Sequence, residues 1–561
     1  MAATRELPVD SVPDTPDFAI RVDGVELERP QRDNVVRIDI HEEVGHLARA
    51  VLLVRNWDDA ANAPELAAGP FAAGAEVQLQ LGYLGHLSPA FDGIVTARRA
   101  RFIAGEQPVA EIHCRCRGSL LAAGARSRIL EEATDADLAS AIAGDHGLQA
   151  ETEAGGTQPF VVQAARPDWD ELRERAERLG WALYVRGGGL VFRPYALDAE
   201  PAVTLGWGAN VVELDLEEDA GERVATITAS GWDPATLEAA TAEGTGAADT
   251  APARIPSPAA LASDELAARA AGAARRDGLA RVSGRGRTIG LPALRCDSRL
   301  TLEGCGDPFD GTHYVSAVRH VLDAHGYSSE FQLGLPSRLT PAPARRAGLP
   351  GLSVGVVEDI DDPDGTGRVR VLLPWLDGDL GSVWARLAVP AAGAGRGFFF
   401  VPDVGDEVVL GHLDDDPRHP VVLGSLWNGL HAPPETLDAA TNAIRSIVSR
   451  SGHRITLDDS DGAAKVTVAT AAGQAITLDD TAGIELADKS GNTLTMDSGG
   501  ITLEAASGAD LVLKAGGGKV AIDAQQLDAK ASGAVKLKSS ASLDLQASAT
   551  LGVSGALVKI N

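Results

Sequence analysis

The stretch from Gly452 to Asn561 constrains the fold most. It reads as short strands, from His453–Leu457, Lys465–Val468, Ala475–Leu478, Gly483–Leu486, Thr493–Met496 and Ile501–Leu503 onward to Leu557–Ile560. Apolar and polar residues alternate within most of them, the period of a half-buried strand. Later apolar positions (Val520, Leu527, Val535, Leu543, Leu551, Val558) step by roughly eight. Ala, Gly, Ser and Asp fill the corners, and the stretch has no aromatic residue. A low-complexity tail lacks such alternation of Ile, Val and Leu.

A short fixed step of strand plus corner describes a β-helix. A one-chain β-helix needs about twenty residues per coil to enclose a core. A step near eight supplies one strand and one corner, leaving strand edges unpaired and the apolar face wet. Three copies wound together remove both problems. Each copy then forms one wall of a triangular prism, and each strand is expected to pair with a neighbouring copy. Burial of one Ile, Val or Leu contributes roughly 1.5–3 kcal/mol, so the trimer gains far more than a monomer. At about 4.8 Å between strands, the prism would be on the order of 60 Å long.

The 561 residues suggest three or four domains. The 62 glycines and 30 prolines suit many turns and a β architecture. A net charge of −29 argues against binding phosphate backbones or anionic membrane surfaces. Four cysteines in so long a chain do not make a disulfide framework. Cys114 and Cys116 would share a strand face, Cys296 and Cys305 could sit across a hairpin, and all four read as buried thiols. The N-terminus has no apolar leader core and no long apolar run follows, so the expectation is a product that starts in the cytoplasm, soluble and without a secretion address.

Four regions are expected: 1–125, a first β-barrel; 126–340, helices and a second β-barrel; 341–430, an OB-type barrel; 431–561, a linker and the β-helix. In the first, Arg98, Arg99 and Arg101 form a basic cluster, read as a solvated face or, second, a contact to an acidic neighbour. Helices are expected over 135–145, after a Thr/Asp cap, and over 168–179, ending at Gly180. A hairpin should turn at Gly187, Gly188 and Gly189. A polar Ala/Thr-rich insert spans 235–258, an Ala-rich helix 263–276, and a Pro/Ala-rich linker 336–350. Strands are expected in the OB-type unit over 353–360, 367–373, 382–387, 397–400, 406–413 and 420–424. Its acidic balance and lack of a basic groove with stacking aromatics speak against nucleic acid.

The OB-type unit carries a family resemblance. Gly355-Val356-Val357, the run Asp362 to Val371, Leu373-Pro374-Trp375, Trp384-Ala385-Arg386, Phe400 to Val408, and Asp416 to Asn428 follow one another as in the spike proteins of contractile injection machines. That family includes the VgrG proteins of type VI secretion, phage hub-and-needle proteins and the spikes of extracellular injection systems. Residues 168–194 and 314–333 resemble its hub region less tightly. The resemblance implies a mainly β homotrimer: two hub β-barrels with small helices, an OB-fold neck, and a C-terminal intertwined trimeric β-helix needle. Six similar barrels would adapt a hexameric inner tube to the needle, beside baseplate proteins. A PAAR-type tip protein would dock on Leu557, Val558, Lys559, Ile560 and Asn561. Because the sequence stops there, no fused effector is expected, though separate effector cargo fits the family. The stretch 429–450 is too short for the lysozyme domain of some phage needles. An ion on the needle axis is compatible with the pattern but not demanded by it.

Three motifs imitate catalytic or metal sites. Gly351-Leu352-Ser353-Val354-Gly355 has the nucleophile-elbow spacing, but the neighbouring valines continue as a strand where the elbow needs a turn and a helix. His41 and His46 of His41-Glu42-Glu43-Val44-Gly45-His46 lie five apart in a β neighbourhood, whereas a zincin needs four on a helix. Asp361-Asp362-Pro363-Asp364-Gly365 lacks the Glu that closes a calcium loop, and Asp414 to Pro417 is likewise a turn. The expectation is therefore a non-enzymatic, membrane-puncturing spike and baseplate hub of a phage-tail-like or extracellular injection particle, without catalytic residues, metal or cofactor. Such a particle part would be delivered outward or into the target cell on contraction. The alternative is a type VI VgrG spike. A β-helix carbohydrate-active enzyme stands third and would need paired carboxylates in a cleft.

Overall fold

The computed structural model describes residues 15–59, 61–64, 69–219, 221, 224–234, 236–246, 252–335, 351–376 and 381–560. The linker 336–350 and Asn561 lie outside the described residues. The chain divides into two compact units, Met1–His431 and Ala432–Asn561. Among the described residues no helix is long and apolar enough to cross a membrane.

The first unit is built on one 13-stranded sheet. The strands expected of two hub barrels meet in it, because Gly311–Asp323 pairs antiparallel with Val35–Glu43. From that seam one half runs through Arg49–Arg55, Val109–Cys116, His86–Arg101, Glu76–Tyr83 and Pro16–Val22. The other runs through Gly326–Leu333, Val282–Ile289 and Val211–Glu218. Ile38, Leu52 and Ile112 bury one side in a core shared with Leu138, Ile142 and Leu172 of two helices.

Those helices are Asp135–Asp145 and Asp168–Leu179, with the expected bounds. Thr134 Oγ1 accepts from the Asp137 amide at 3.1 Å, and Asp137 accepts from the Thr134 amide at 2.8 Å, a reciprocal cap. Gly180 ends the second helix at φ 63°, and a Cβ there would lie 2.5 Å from the Gly272 carbonyl oxygen. Only glycine allows this close passage of the helix Ser263–Leu279. The hairpin of Trp181–Arg186 and Gly189–Pro194 also forms as expected.

The Ala/Thr-rich insert carries two strands: Glu238–Thr245 and Ala253–Pro256 both pair with Thr226–Asp233. Its small side chains hid the strands, yet they let the helix pack closely, since a Cβ on Gly244 would meet the Ala270 carbonyl oxygen at 2.4 Å. The OB-type barrel closes through Leu352–Asp359, Val369–Leu372, Ser382–Leu387, Pro420–Leu426 and Glu407–His412 around Val357, Val371, Val383 and Leu410. The strand expected over 397–400 does not form there. A short hairpin of Ala392–Gly393 with Arg396–Gly397 replaces it, and Phe399 beyond it is 89% exposed.

The hub seam buries a titratable cluster. His320 lies between the Leu294 carbonyl oxygen (Nε2, 3.0 Å) and Ser329 Oγ (Nδ1, 2.9 Å). Glu42 nearby pairs with Arg295 and Arg186. Burial pulls the His320 imidazole down to about 4 from 6.5, against the opposing pull of Glu42. The unfolded chain therefore takes up a proton that the folded chain refuses. Stability is full above about 6.5 and falls as pH drops toward about 4, by about 3 kcal/mol. His320→Gln should flatten that part of the pH dependence in thermal melts; an unchanged slope would show that another group sets it.

The four cysteines form no disulfide. Burial pushes Cys114 and Cys296 up to about 12 and Cys116 to about 11, which leaves little thiolate near neutrality. Cys305, two residues past the strand Ser298–Glu303, is half-buried rather than buried as expected. In native protein a thiol reagent should label Cys305 first, and mass spectrometry of the labelled peptides checks the order.

Candidate functional site

The second unit presents the site that the sequence singled out. Seven strands, Ile444–Val448, Arg454–Asp458, Lys465–Ala469, Ala475–Asp479, Gly483–Ala487, Thr493–Asp497 and Gly500–Glu504, form an antiparallel meander. Each pairs with its neighbour in sequence. The expected pairing with a neighbouring copy therefore does not hold over 444–504. Step length explains the difference: these strands are joined by corners long enough to turn back, and Asp residues brace them. Asp479 accepts the amides of Thr481 (2.9 Å) and Ala482 (2.7 Å), and Asp488 those of Ser490 (2.8 Å) and Asn492 (3.0 Å).

The registers sort the side chains into rows. Ile447, Ile455, Val468, Ile476, Leu486, Leu494 and Leu503 stand opposite one another from strand to strand. Leu457, Val466, Leu478, Ile484, Met496 and Ile501 form a second row two residues away. Positions two apart share a face, so both rows line the same side. Between them on the other side runs Ser446, Thr456, Thr467, Thr477, Glu485, Thr495 and Thr502. The sheet is thus oily on one side and hydroxyl-lined on the other. Among the described residues of this unit the middle of the oily side stays open, with Ile476 45% and Leu478 46% exposed.

From 505 to 560 the described residues carry no strand pairing within the chain. Yet Leu511, Leu513, Val520, Ile522, Leu527, Val535, Leu537, Leu543, Leu545, Leu551 and Val553 recur there, each between 54% and 68% exposed. Of the five terminal residues expected to dock a tip, Leu557 and Ile560 are 74% and 91% exposed.

The imitation motifs resolve on geometry. Ser353 sits inside the strand Leu352–Asp359 opposite Leu410, without the turn and helix of an elbow. Its hydroxyl does meet His412 Nε2 at 2.8 Å, a contact that sequence spacing could not show. Among the described residues no carboxylate is hydrogen-bonded to His412 Nδ1, the contact that orients the ring of a general base. His41 lies on a strand and His46 on the turn after it, both beside Glu43 at 3.9 and 3.4 Å. Asp362 braces its own turn, accepting from the Thr366 amide (2.8 Å), the Arg368 amide (3.2 Å) and the Arg368 guanidinium (2.6 Å). Those Arg368 hydrogen bonds, foremost, hold its carboxyl well below the usual range. Among the described residues no group of three or more His, Cys, Asp or Glu is placed to hold a metal.

A hub sheet, an OB barrel and a one-sided apolar meander define the VgrG-like spike class, and comparison with known proteins agrees. The profile described as type VI secretion system/phage-baseplate injector OB domain matches residues 353–427. That of the phage baseplate V C-terminal trimerisation domain matches 465–528. The profile of the Alg8 N-terminal domain matches 13–324, more than half of the chain, and the chain belongs to that family. The spike VgrG1a of Pseudomonas aeruginosa is 28% identical over 164 residues, 27% of this chain and 25% of that protein. VgrG2a of the same organism is 33% identical over 140 residues, 23% of this chain and 16% of that one. The actin cross-linking toxin VgrG1 of Vibrio cholerae is 30% identical over 120 residues, 20% and 11% of the two chains. The matches thus span a quarter or less of these relatives.

Two solved structures share the fold. The VgrG complex with PdpA from Francisella superposes with a TM-score of 0.54 at 8% identity, covering 85% of this chain and 88% of that one. An E. coli type VI secretion component, itself described as similar to the T4 tail proteins gp27 and gp5, gives 0.50 at 12% identity, covering 72% and 99%.

Proposed function

We propose that this chain is the homotrimeric hub and spike of a contractile injection machine. The observation that carries the reading is the pair of apolar rows on one face of the 444–504 meander. Three such walls, closed into a prism, bury both rows and leave the threonine side in water. Below it, 505–560 has a step too short to turn back on itself, and its strands find partners in the two other copies. The match to a trimerisation domain over 465–528 supports the same assembly.

The role is mechanical and non-enzymatic. The hub sheets adapt a hexameric inner tube to a threefold needle within a baseplate, and Leu557, Val558, Lys559, Ile560 and Asn561 receive a PAAR-type tip. Sheath contraction drives the needle outward, and stacked hydrogen-bonded strands carry the load. The protein assembles in the bacterial cytoplasm and acts as part of an extracellular or phage-tail-like particle. Identities of 28–33% to P. aeruginosa type VI spikes favour a second reading, the VgrG of a type VI system. Neighbouring genes decide between the two, since a membrane complex beside sheath and tube genes marks type VI. The function itself is tested by co-expression with the neighbouring tube protein. Electron micrographs should show tubes capped at one end by this chain, whereas uncapped tubes would refute the hub role.

A further inference from the structure

The hub sheet has a second face, opposite its core. On the core side His320, Ile40, Ala50 and Cys114 stand in register across four strands, each no more than 1% exposed. One residue along, the outward row reads Arg319, His41, Arg49, Arg115. Directly opposed like charges destabilise a strand pair. Here Arg49 faces Arg115, with His41 on the other flank of Arg49. In a chain of net charge −29, carboxylates to neutralise such a row are plentiful, yet they are engaged elsewhere. Asp39 and Glu330 bind Arg319, Glu111 lies beside Arg99 and His113, and Glu43 lies beside His41 and His46. Arg49 and Arg115, both exposed, make no ion pair or hydrogen bond with a described residue.

The row borders an open cavity of about 520 Å³ lined by Asp39, His41, Arg49, Val51, His113 and Arg319. Burial, then the charge of Arg49, pull the His41 imidazole below its ordinary value, which disfavours a further positive charge in the row. We propose that Arg49 and Arg115, flanked by His41 and His113, form a clamp for an acidic segment of a partner polypeptide. Charge complementarity names the occupant. Two free forks side by side suit carboxylates on an extended strand, which recur on one side about every 6.8 Å. The flanking Glu43, Glu111 and Asp39 and the lack of a stacking aromatic in this row disfavour a nucleic-acid backbone. The basic cluster noted in the sequence sits beside the clamp, with Arg99 opposite Glu111 and Arg101 opposite Val109 on the same outward face. The inference rests on the sheet alone and does not depend on the injection reading.

The test compares full-length protein with the double variant Arg49→Gln, Arg115→Gln. The probes are a fluorescein-labelled poly-L-glutamate peptide and a charge-matched poly-dT oligonucleotide, followed by anisotropy at low and physiological salt. The native chain should bind polyglutamate more tightly than poly-dT and lose affinity with salt, and the double variant should bind it about tenfold more weakly. Its melting temperature should be unchanged or higher, because a like-charge contact is gone. Equal polyglutamate binding by both proteins, no binding, or tighter poly-dT binding would overturn the proposal. So would a lowered melting temperature, which would make the pair structural. A change in mass in solution would make the face a contact between copies, and the proposal would also fall.

Discussion

A chain carrying Ile476→Asp is expected to sediment as a monomer with its hub still folded. Ile476 stands mid-row between Val468 and Leu486 on the apolar face. Each copy would lose roughly 1.5–3 kcal/mol of side-chain burial. Each would also drive a carboxylate into the prism interior at a further cost of several kcal/mol. Summed over three copies the penalty is on the order of 10 kcal/mol, a large fraction of what holds an assembly together. Thr477→Asp, one residue away on the hydroxyl side, should be tolerated. Sedimentation of the two variants side by side checks the facing of the wall; dissociation by Thr477→Asp and not by Ile476→Asp would invert it.

Arg418→Ala should produce the largest loss inside the first unit. Arg418 belongs to the OB barrel, yet its guanidinium reaches Glu265 (3.0 Å) and Gln158 of the hub as well as Asp416 (2.7 Å) beside it. The two charges of the cross-domain pair are each only 7% exposed. Burial alone would raise the Glu265 carboxyl; Arg418, Arg178 and Arg269 outweigh it and hold the group well below its usual value. Removing Arg418 takes the shared guanidinium from two buried carboxylates, Glu265 and Asp416, at a cost of about 3 kcal/mol. The sign with pH follows. A depressed carboxyl lends stability above its unfolded value of 4.5 and loses it as pH falls below that. In the variant Glu265 loses its strongest cation, its carboxyl is less depressed, and the loss of stability below 4.5 should be shallower. Calorimetry of both proteins across that range checks both effects. Arg418→Lys should recover little, because one ammonium cannot serve three partners in a fork.

Much of this architecture was legible in the sequence because local signals agreed with the final packing. The helix over 135–145 had a capping pair and the one over 168–179 a terminal glycine, and both bounds held. The OB barrel announced itself through alternating valines and turn residues. What escaped was long-range. The strand Gly311–Asp323 reads locally as a hairpin partner of Gly326–Leu333, and nothing in its pattern shows that its other edge joins Val35–Glu43. Strands of alanine and threonine in the insert carried too little hydrophobic contrast to be seen. In the spike, alternation gave the apolar face but not the pairing: a period of two is the same whether a strand's neighbour is its own chain or another copy. Corner length held that answer, in Asp-braced turns up to Gly500 and shorter steps beyond. The Arg49–Arg115 opposition was likewise invisible, since 65 positions separate residues that only the register brings together.

Sedimentation of the full-length chain in mild detergent tests the central claim most directly. The prism predicts a single species of three times the 58.1 kDa chain mass, persisting on dilution because each wall's oily side is covered by the other two. A folded species of 58.1 kDa, with the second unit intact, would contradict it.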